Sequence, residues 1–364
     1  MDKKIRIIGI IAAVAVSFVI LSLPSNPLPI PEPLTSEIGT KSVEVLATNL
    51  EKPRSFDFSG DKIFLTEKGG SIRVIDSGVL IDEPLANLRV AEVAEGGLLG
   101  IATHPNFEEN HFLYVYYTYV EDEELWNKVL RITESDNKLK EANTILDKIP
   151  ASKFNNGGII KFGPDMKLYI AVGSGTDHQQ AQNIESLAGK ILRLNDDGTI
   201  PENNPYLDSP VFSYGHRNPQ GMTWDNAGNL YITEIGPSQN DEINLVKPGQ
   251  NYGWPEQECS GDKKYVDALV CYDPAFEPGG IVYYSSEDLD LHNSLIVASL
   301  RASNLYQLEM NEGEIVSQKS ILSGLGRLRD VNEGPDGYLY VLTSNTDGKG
   351  FPDNTDDKLL RIVK

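Results

Sequence analysis

The chain has 364 residues, 53 acidic against 32 basic, and a formal net charge of -21. Nucleic-acid binding needs a basic footprint and is disfavoured by that balance. An acidic surface suits a soluble exported protein and is compatible with cation binding, with solubility the ordinary explanation for most of the charge. The length fits two average domains or one large β domain. The 32 glycines and 21 prolines lie between recurring strand-like runs, which favours an all-β fold.

The N-terminus reads as a targeting segment. Lys3, Lys4 and Arg6 precede the apolar run Ile7–Leu23, and Pro24, Pro27, Pro29, Pro31 and Pro33 follow. Residues 1–23 are expected to be a signal peptide or an N-terminal membrane anchor, and residues 24–39 a Pro-rich, semi-rigid linker. Either form makes the body, residues 40–364, extracytoplasmic: secreted, or tethered to the outer face of the membrane through residues 7–23.

A pair of short runs then repeats six times. Its first members are Ile63–Leu65, Leu113–Val115, Leu168–Ile170, Leu230–Ile232, Leu295–Val297 and Leu339–Val341. Its second members, often centred on a basic residue, are Ile72–Val74, Leu130–Ile132, Leu192–Leu194, Ile243–Leu245, Leu305–Gln307 and Leu360–Ile362. The first members are spaced about 44 to 65 residues apart, the range of propeller blades carrying insertions. Three are preceded by similar turns: Gly163-Pro164-Asp165, Asp225-Asn226-Ala227-Gly228 and Gly334-Pro335-Asp336-Gly337. The last unit has no room for a fourth strand, and the early run Ser42–Thr48 is expected to complete it. Such closure removes exposed sheet edges. The expected fold is an all-β, six-bladed β-propeller whose ring is closed by an N-terminal strand.

Polar groups gather between these runs, above all from Ser213 to Pro255. Arg217 and Asn218 lie on one loop there, and Gly236-Pro237 on a turn whose carbonyls could serve a hard cation such as calcium. Arg301, Arg327 and Arg329 lie on later loops. Turned toward one axial mouth, the four arginines would make a cationic funnel for a ligand with several carboxylates; the alternative is that each pairs with a nearby acid. Oxygen-rich loops at 195–198 and 347–357 are further calcium candidates. His104 reads as a turn residue, His111 and His292 as surface residues, and His216 and His178 as able to face the mouth. Cys259 and Cys271 are expected to form a disulfide pinning their loop. No G-x-S-x-G elbow, HExxH helix or Gly-rich phosphate loop occurs, so serine hydrolase, zincin and Rossmann readings lack support.

The stretches GGLLGIATHPNF, NNGGIIKFGPDMKLYIAVG, AGKILRLNDDGTIPENNPY, GHRNPQGMTWD, TEIGPSQNDEINLVKPGQNYGWP and GRLRDVNEGPDGYLYVLT together resemble the soluble PQQ-dependent aldose sugar dehydrogenases, the glucose/sorbosone dehydrogenase family. The resemblance runs in consistent order from about residue 40 to 364. It implies a six-bladed propeller binding pyrroloquinoline quinone and calcium (Ca2+) at its axial mouth. It also implies oxidation of an aldose at C1 to the lactone, with electrons passed to an external acceptor. By position it makes Arg217 and Asn218 quinone contacts and Gly236 and Pro237 backbone calcium ligands. Arg301 falls where the family has a lysine on the cofactor's carboxylates, and Arg327 and Arg329 match its arginine pair.

Three positions depart from the family pattern. Asn155 stands where the family carries its histidine base, Ser174 where it carries the base-orienting aspartate, and Glu95 where glutamine is usual. An amide cannot accept a proton at neutral pH, so His178 or Glu95 would have to supply the base. Two functions follow: an exported quinoprotein oxidising an aldose or oligosaccharide, or a non-catalytic propeller that binds quinone, a glycan or a protein partner.

Overall fold

The computed structural model describes residues 42–364. The expected targeting segment and linker lie outside the described residues. Among those described, no helix is long and apolar enough to cross a membrane.

Six antiparallel sheets follow one another along the chain, five of four strands and the first of five. Their innermost strands are Pro53–Ser59, Leu98–Thr103, Gly157–Phe162, Pro219–Trp224, Pro278–Tyr284 and Leu328–Glu333. Each touches the next and the sixth touches the first, so the ring is closed around an axis. The strand Ser42–Ala47 pairs with Leu359–Val363 and forms the outer edge of the sixth blade. The expected propeller and its closure are both observed. Every apolar triplet of the repeat falls on the second or third strand of a blade.

Burial on both faces explains why those strands read as continuous apolar runs. Six apolar clusters fill the spaces between consecutive blades. Along Leu339–Thr343 the side chains alternate between two of them. Leu339 and Val341 enter the cluster shared with the fifth blade, Tyr340 and Leu342 the one shared with the first. Truncating any one of these to alanine costs about 2–5 kcal/mol.

The repeated turns have a shared internal tie. The Tyr169, Tyr231 and Tyr340 hydroxyls donate to Asp165, Asp225 and Asp336 at 3.1, 3.1 and 3.0 Å. The basic residue of the third strand completes it in two blades, where Arg193 and Arg361 pair with Asp165 and Asp336. Gly228 and Gly337 take positive φ, of 83° and 78°, at the turn; in the third blade Met166 holds that conformation at 61°.

Candidate functional site

The site begins as a backbone irregularity. On all six innermost strands the ladder slips close to the strand's start. The slips fall between Pro53 and Ser55, Leu98 and Gly100, Gly157 and Ile160, Pro219 and Gly221, Pro278 and Ile281, and Leu328 and Asp330. A bulge leaves a residue outside the pairing and re-aims its side chain. The residues so released include Arg54, Gln220 and Arg329, and all three line an axial cavity of about 150 Å³. On the fifth blade the released residues are Gly279 and Gly280, where an added Cβ would strike the Arg329 carbonyl and Asp330.

In a molecule this acidic the cavity has the opposite bias. Lys52, Arg54, Lys68, Arg327, Arg329 and Lys349 line it against only Glu95, Glu277 and Asp347. Arg327 donates through Nε to Asp347 at 3.0 Å and through Nη1 to the Leu300 carbonyl at 3.3 Å. Arg329 lies 3.9 Å from the same Asp347 carboxylate and 3.5 Å from Gln220 Oε1, and its buried Nε has no partner among the described residues. Burial, and then repulsion from Arg54, pushes the Arg329 guanidinium down from its ordinary value. Burial lowers Arg54 as well, while Glu95, Asp347 and Asp330 act against it. The cavity therefore holds surplus positive charge that the protein itself does not neutralise.

The other two arginines are placed differently from the expected four-arginine funnel. Arg301 is half-exposed at the rim, held by Glu277 at 2.7 Å, and does not line the cavity. It is the arginine for which pairing with a nearby acid describes the structure best. Arg217 turns into an adjoining crevice, where Nη1 donates to the Ile235 and Gly236 carbonyls at 2.7 Å each. Its guanidinium lies 5.3 Å from the centre of the Trp254 ring. The Gly236 carbonyl thus faces a guanidinium, with Pro237 beside it in the same crevice. Among the described residues no group of three or more His, Cys, Asp or Glu side chains could hold a metal ion. Burial, and then the neighbouring Glu234, push the Glu242 carboxyl in this crevice well above the usual carboxylate range. Asn218 does line the axial cavity, and its Oδ1 accepts the Gly157 amide at 3.1 Å, tying the third blade to the fourth.

His216 does not face the mouth. It is fully buried between Ser213 Oγ and Glu234 at 2.8 and 3.1 Å and stacks on Tyr252, because the chain turns inward there. His104 is the turn residue expected, its Nδ1 accepting the Asn106 amide at 3.0 Å. The disulfide Cys259–Cys271 is formed.

Asn155 is buried, with φ of 57°. Its Nδ2 donates to the Gly175 carbonyl at 3.1 Å, and its amide donates to Glu95 at 2.8 Å. The Asn155 carboxamide cannot take up a proton, and the carboxylate hydrogen-bonded to this residue is that of Glu95. Across the loop, Ser174 Oγ accepts the Trp254 indole N–H at 3.2 Å and lies 3.2 Å from His178 Nδ1. The His178 ring meets Trp254 edge-on, 5.0 Å between centres. Burial, followed by the Arg217 charge, lowers His178, which keeps its imidazole neutral at physiological pH. Trp254 therefore joins Arg217, His178 and Ser174 into one cluster.

Arg54, Gln220, Lys68 and Trp254 were missing from the residues expected by sequence. Comparing the starts of the inner strands finds two of them: Pro53-Arg54 and Pro219-Gln220 stand in register with Pro278-Gly279 and Leu328-Arg329.

The Glucose / Sorbosone dehydrogenase family matches residues 50–361. The chain belongs to that family. It is 31% identical to the aldose sugar dehydrogenase YliI of Escherichia coli K12, over 85% of this chain and 92% of that one. The PQQ-bound aldose sugar dehydrogenase of Streptomyces coelicolor superposes with a TM-score of 0.81 at 34% identity, covering 89% of this chain and 98% of that one. Sequence similarity also reaches further afield. Human Hedgehog-interacting protein is 28% identical over 88% of this chain, which spans 52% of that longer protein.

Proposed function

We propose that the protein is an exported PQQ-dependent dehydrogenase that oxidises an aldose, free or at the end of an oligosaccharide, at C1 to the lactone and passes electrons to an external acceptor. The observation that carries this reading is the charge of the axial cavity. Six cationic side chains against three carboxylates, with the Arg329 Nε unpaired, fit an anion bearing several carboxylates. At about 150 Å³ the cavity is smaller than the roughly 300–1,000 Å³ usual for such ligands, so binding requires Arg327 and Arg329 to swing off Asp347. PQQ, when bound, supplies the two-electron acceptor.

The chain's own residues divide the remaining tasks. Arg327 and Arg329 hold carboxylates, with Arg301 reaching in from the rim, and Arg217 and Asn218 flank the reacting end. The sugar hydroxyl must lose a proton, which the Asn155 amide cannot take. His178, neutral and oriented by Ser174, is the proposed acceptor, with Glu95 the other group placed near that loop. Calcium fits the Gly236 and Pro237 carbonyls only once Arg217 has turned away, so its binding is expected to accompany that of the quinone. Export is supported by the disulfide and by the apolar run 7–23.

A second reading is favoured by Asn155 and Ser174 together: a propeller that binds but does not turn over. The likeness to a protein named for interaction supports it too. Reconstitution of the full chain with PQQ and calcium separates the two. Quinone absorbance retained through gel filtration, with dye-linked oxidation of an aldose panel, supports the dehydrogenase. Quinone retained without turnover selects the binding reading, and quinone lost on the column defeats the dehydrogenase and any quinone-binding role.

A further inference from the structure

Arg54 lacks a partner that accounts for its place. It sits on the first inner strand at the slip between Pro53 and Ser55, as Arg329 sits on the sixth at the slip between Leu328 and Asp330. These two strands are neighbours in the ring, and both side chains enter the same cavity. Of the other cations lining the cavity three are engaged, while Lys349, like Arg54, makes no side-chain hydrogen bond or ion pair among the described residues. Arg327 reaches Asp347 at 3.0 Å, Lys52 reaches Glu92 at 2.8 Å, and Lys68 reaches the Ala94 carbonyl at 2.5 Å. Arg54 makes no side-chain hydrogen bond or ion pair among the described residues, and only burial and the fields of Glu95, Asp347 and Asp330 act on it. Holding one guanidinium beside a second in a shared cavity is costly unless an anion lies between them.

We infer that Arg54 is a ligand-binding residue, the third guanidinium of a clamp that, with Arg327 and Arg329, grips a polycarboxylate from the side of the first blade. This rests on the proposed quinone function only for the identity of that polycarboxylate. A guanidinium accepts a carboxylate through two parallel N–H···O bonds, a geometry that lysine cannot reproduce.

The test uses the full chain and calorimetric titration with two probes, PQQ and citrate, on wild type, Arg54→Gln and Arg54→Lys. Arg89→Gln, at an exposed arginine outside the cavity, is the control. Losing a charge-assisted pair should weaken both probes at least about tenfold in Arg54→Gln. Arg54→Lys should fall between, and Arg89→Gln should match wild type. Ligand-free Arg54→Gln should melt no lower than wild type, because a repulsion has been removed. Wild-type affinity for both probes in Arg54→Gln overturns the inference. Should that variant fail to fold, Arg54→Lys must bind both probes several-fold more weakly at an unchanged melting temperature, or the inference fails. Citrate bound through Arg54 with no affinity for PQQ sustains the clamp and sinks the quinone reading; no affinity for either probe sinks both.

Discussion

The sharpest consequence of the site is a gain of function. Asn155 holds φ at 57°, where asparagine, aspartate and histidine are the least penalised of non-glycine residues. Histidine can therefore enter without new backbone strain, losing the 3.1 Å bond to the Gly175 carbonyl, worth about 1 kcal/mol. Aspartate at position 174 would meet the Trp254 indole N–H and the His178 ring, each now 3.2 Å from Ser174 Oγ. A buried carboxylate is stabilised by such donors. A positioned base contributes roughly 10²–10⁴ in rate, or about 3–5 kcal/mol of barrier. With PQQ and calcium supplied, the double variant Asn155→His, Ser174→Asp is expected to raise kcat of dye-linked aldose oxidation at least about a hundredfold. KM should change little, and the melting temperature should drop by about 2–4 °C. Asn155→His alone should give the smaller part of the gain. A double variant that retains quinone, melts cooperatively and turns over no faster than wild type would refute the argument that the lack of a base at position 155 limits the rate.

Three further outcomes concern the scaffold. Lys190 is wholly buried and donates to the Gln180, Ala181 and Ala188 carbonyls at 2.9, 3.0 and 2.6 Å, pinning the His178 loop. The first two carbonyls keep a second donor, from Asn183 and Gly215. Lys190→Met therefore orphans chiefly Ala188 and should cost about 2–4 kcal/mol in urea denaturation; an unchanged midpoint would mean the lysine is dispensable. Burial pushes Asp330 up to about 6 from 3.8. A raised folded value means stability is present below the unfolded value and lost as pH rises through the folded one. Wild type should thus lose up to about 3 kcal/mol relative to Asp330→Asn between pH 4 and 7, and parallel pH profiles would contradict this. Met166 holds φ of 61° with its side chain exposed, so Met166→Gly should gain about 0.5–1 kcal/mol, read as a higher melting temperature.

The second and third strands were legible because both faces are buried, which compresses their pattern into apolar triplets such as Leu339–Val341. The innermost strands were not. Their side chains face a polar axis, so Arg54, Asp57, Lys161 and Asn332 interrupt any hydrophobic period, and the bulges break it again. Apart from Ser42–Ala47, the outer strands are illegible for another reason: Lys138–Pro150 is largely exposed, and the outer strands of the first blade are only Val79–Leu80 and Ala86–Asn87. At the site, Arg327, Arg329 and Asn218 could be singled out from the sequence and all three line the cavity, although Arg329 sits on the start of an inner strand and not on a loop. Where Arg301 and Arg217 turn could not be read, because side chains this long choose among partners, here Glu277 and two carbonyls, that sequence spacing does not reveal. His216 beside Arg217 points to the opposite side of the loop, into Ser213 and Glu234.

The two ends of the inner strands obey different rules. At the turn end, three blades repeat both backbone and chemistry: a tyrosine hydroxyl closes on an aspartate of the turn each time. At the mouth end all six blades repeat the backbone slip, but the residues released differ: Arg54, Leu99, Gln220 and Arg329 among them, with glycines on the third and fifth blades. The slip alone is satisfied by glycine, as Gly279 and Gly280 demonstrate. Nothing in the packing of the ring calls for a guanidinium at either Arg54 or Arg329, and each raises the cost of the other. An anion in the axial cavity removes that cost and gives both side chains a partner.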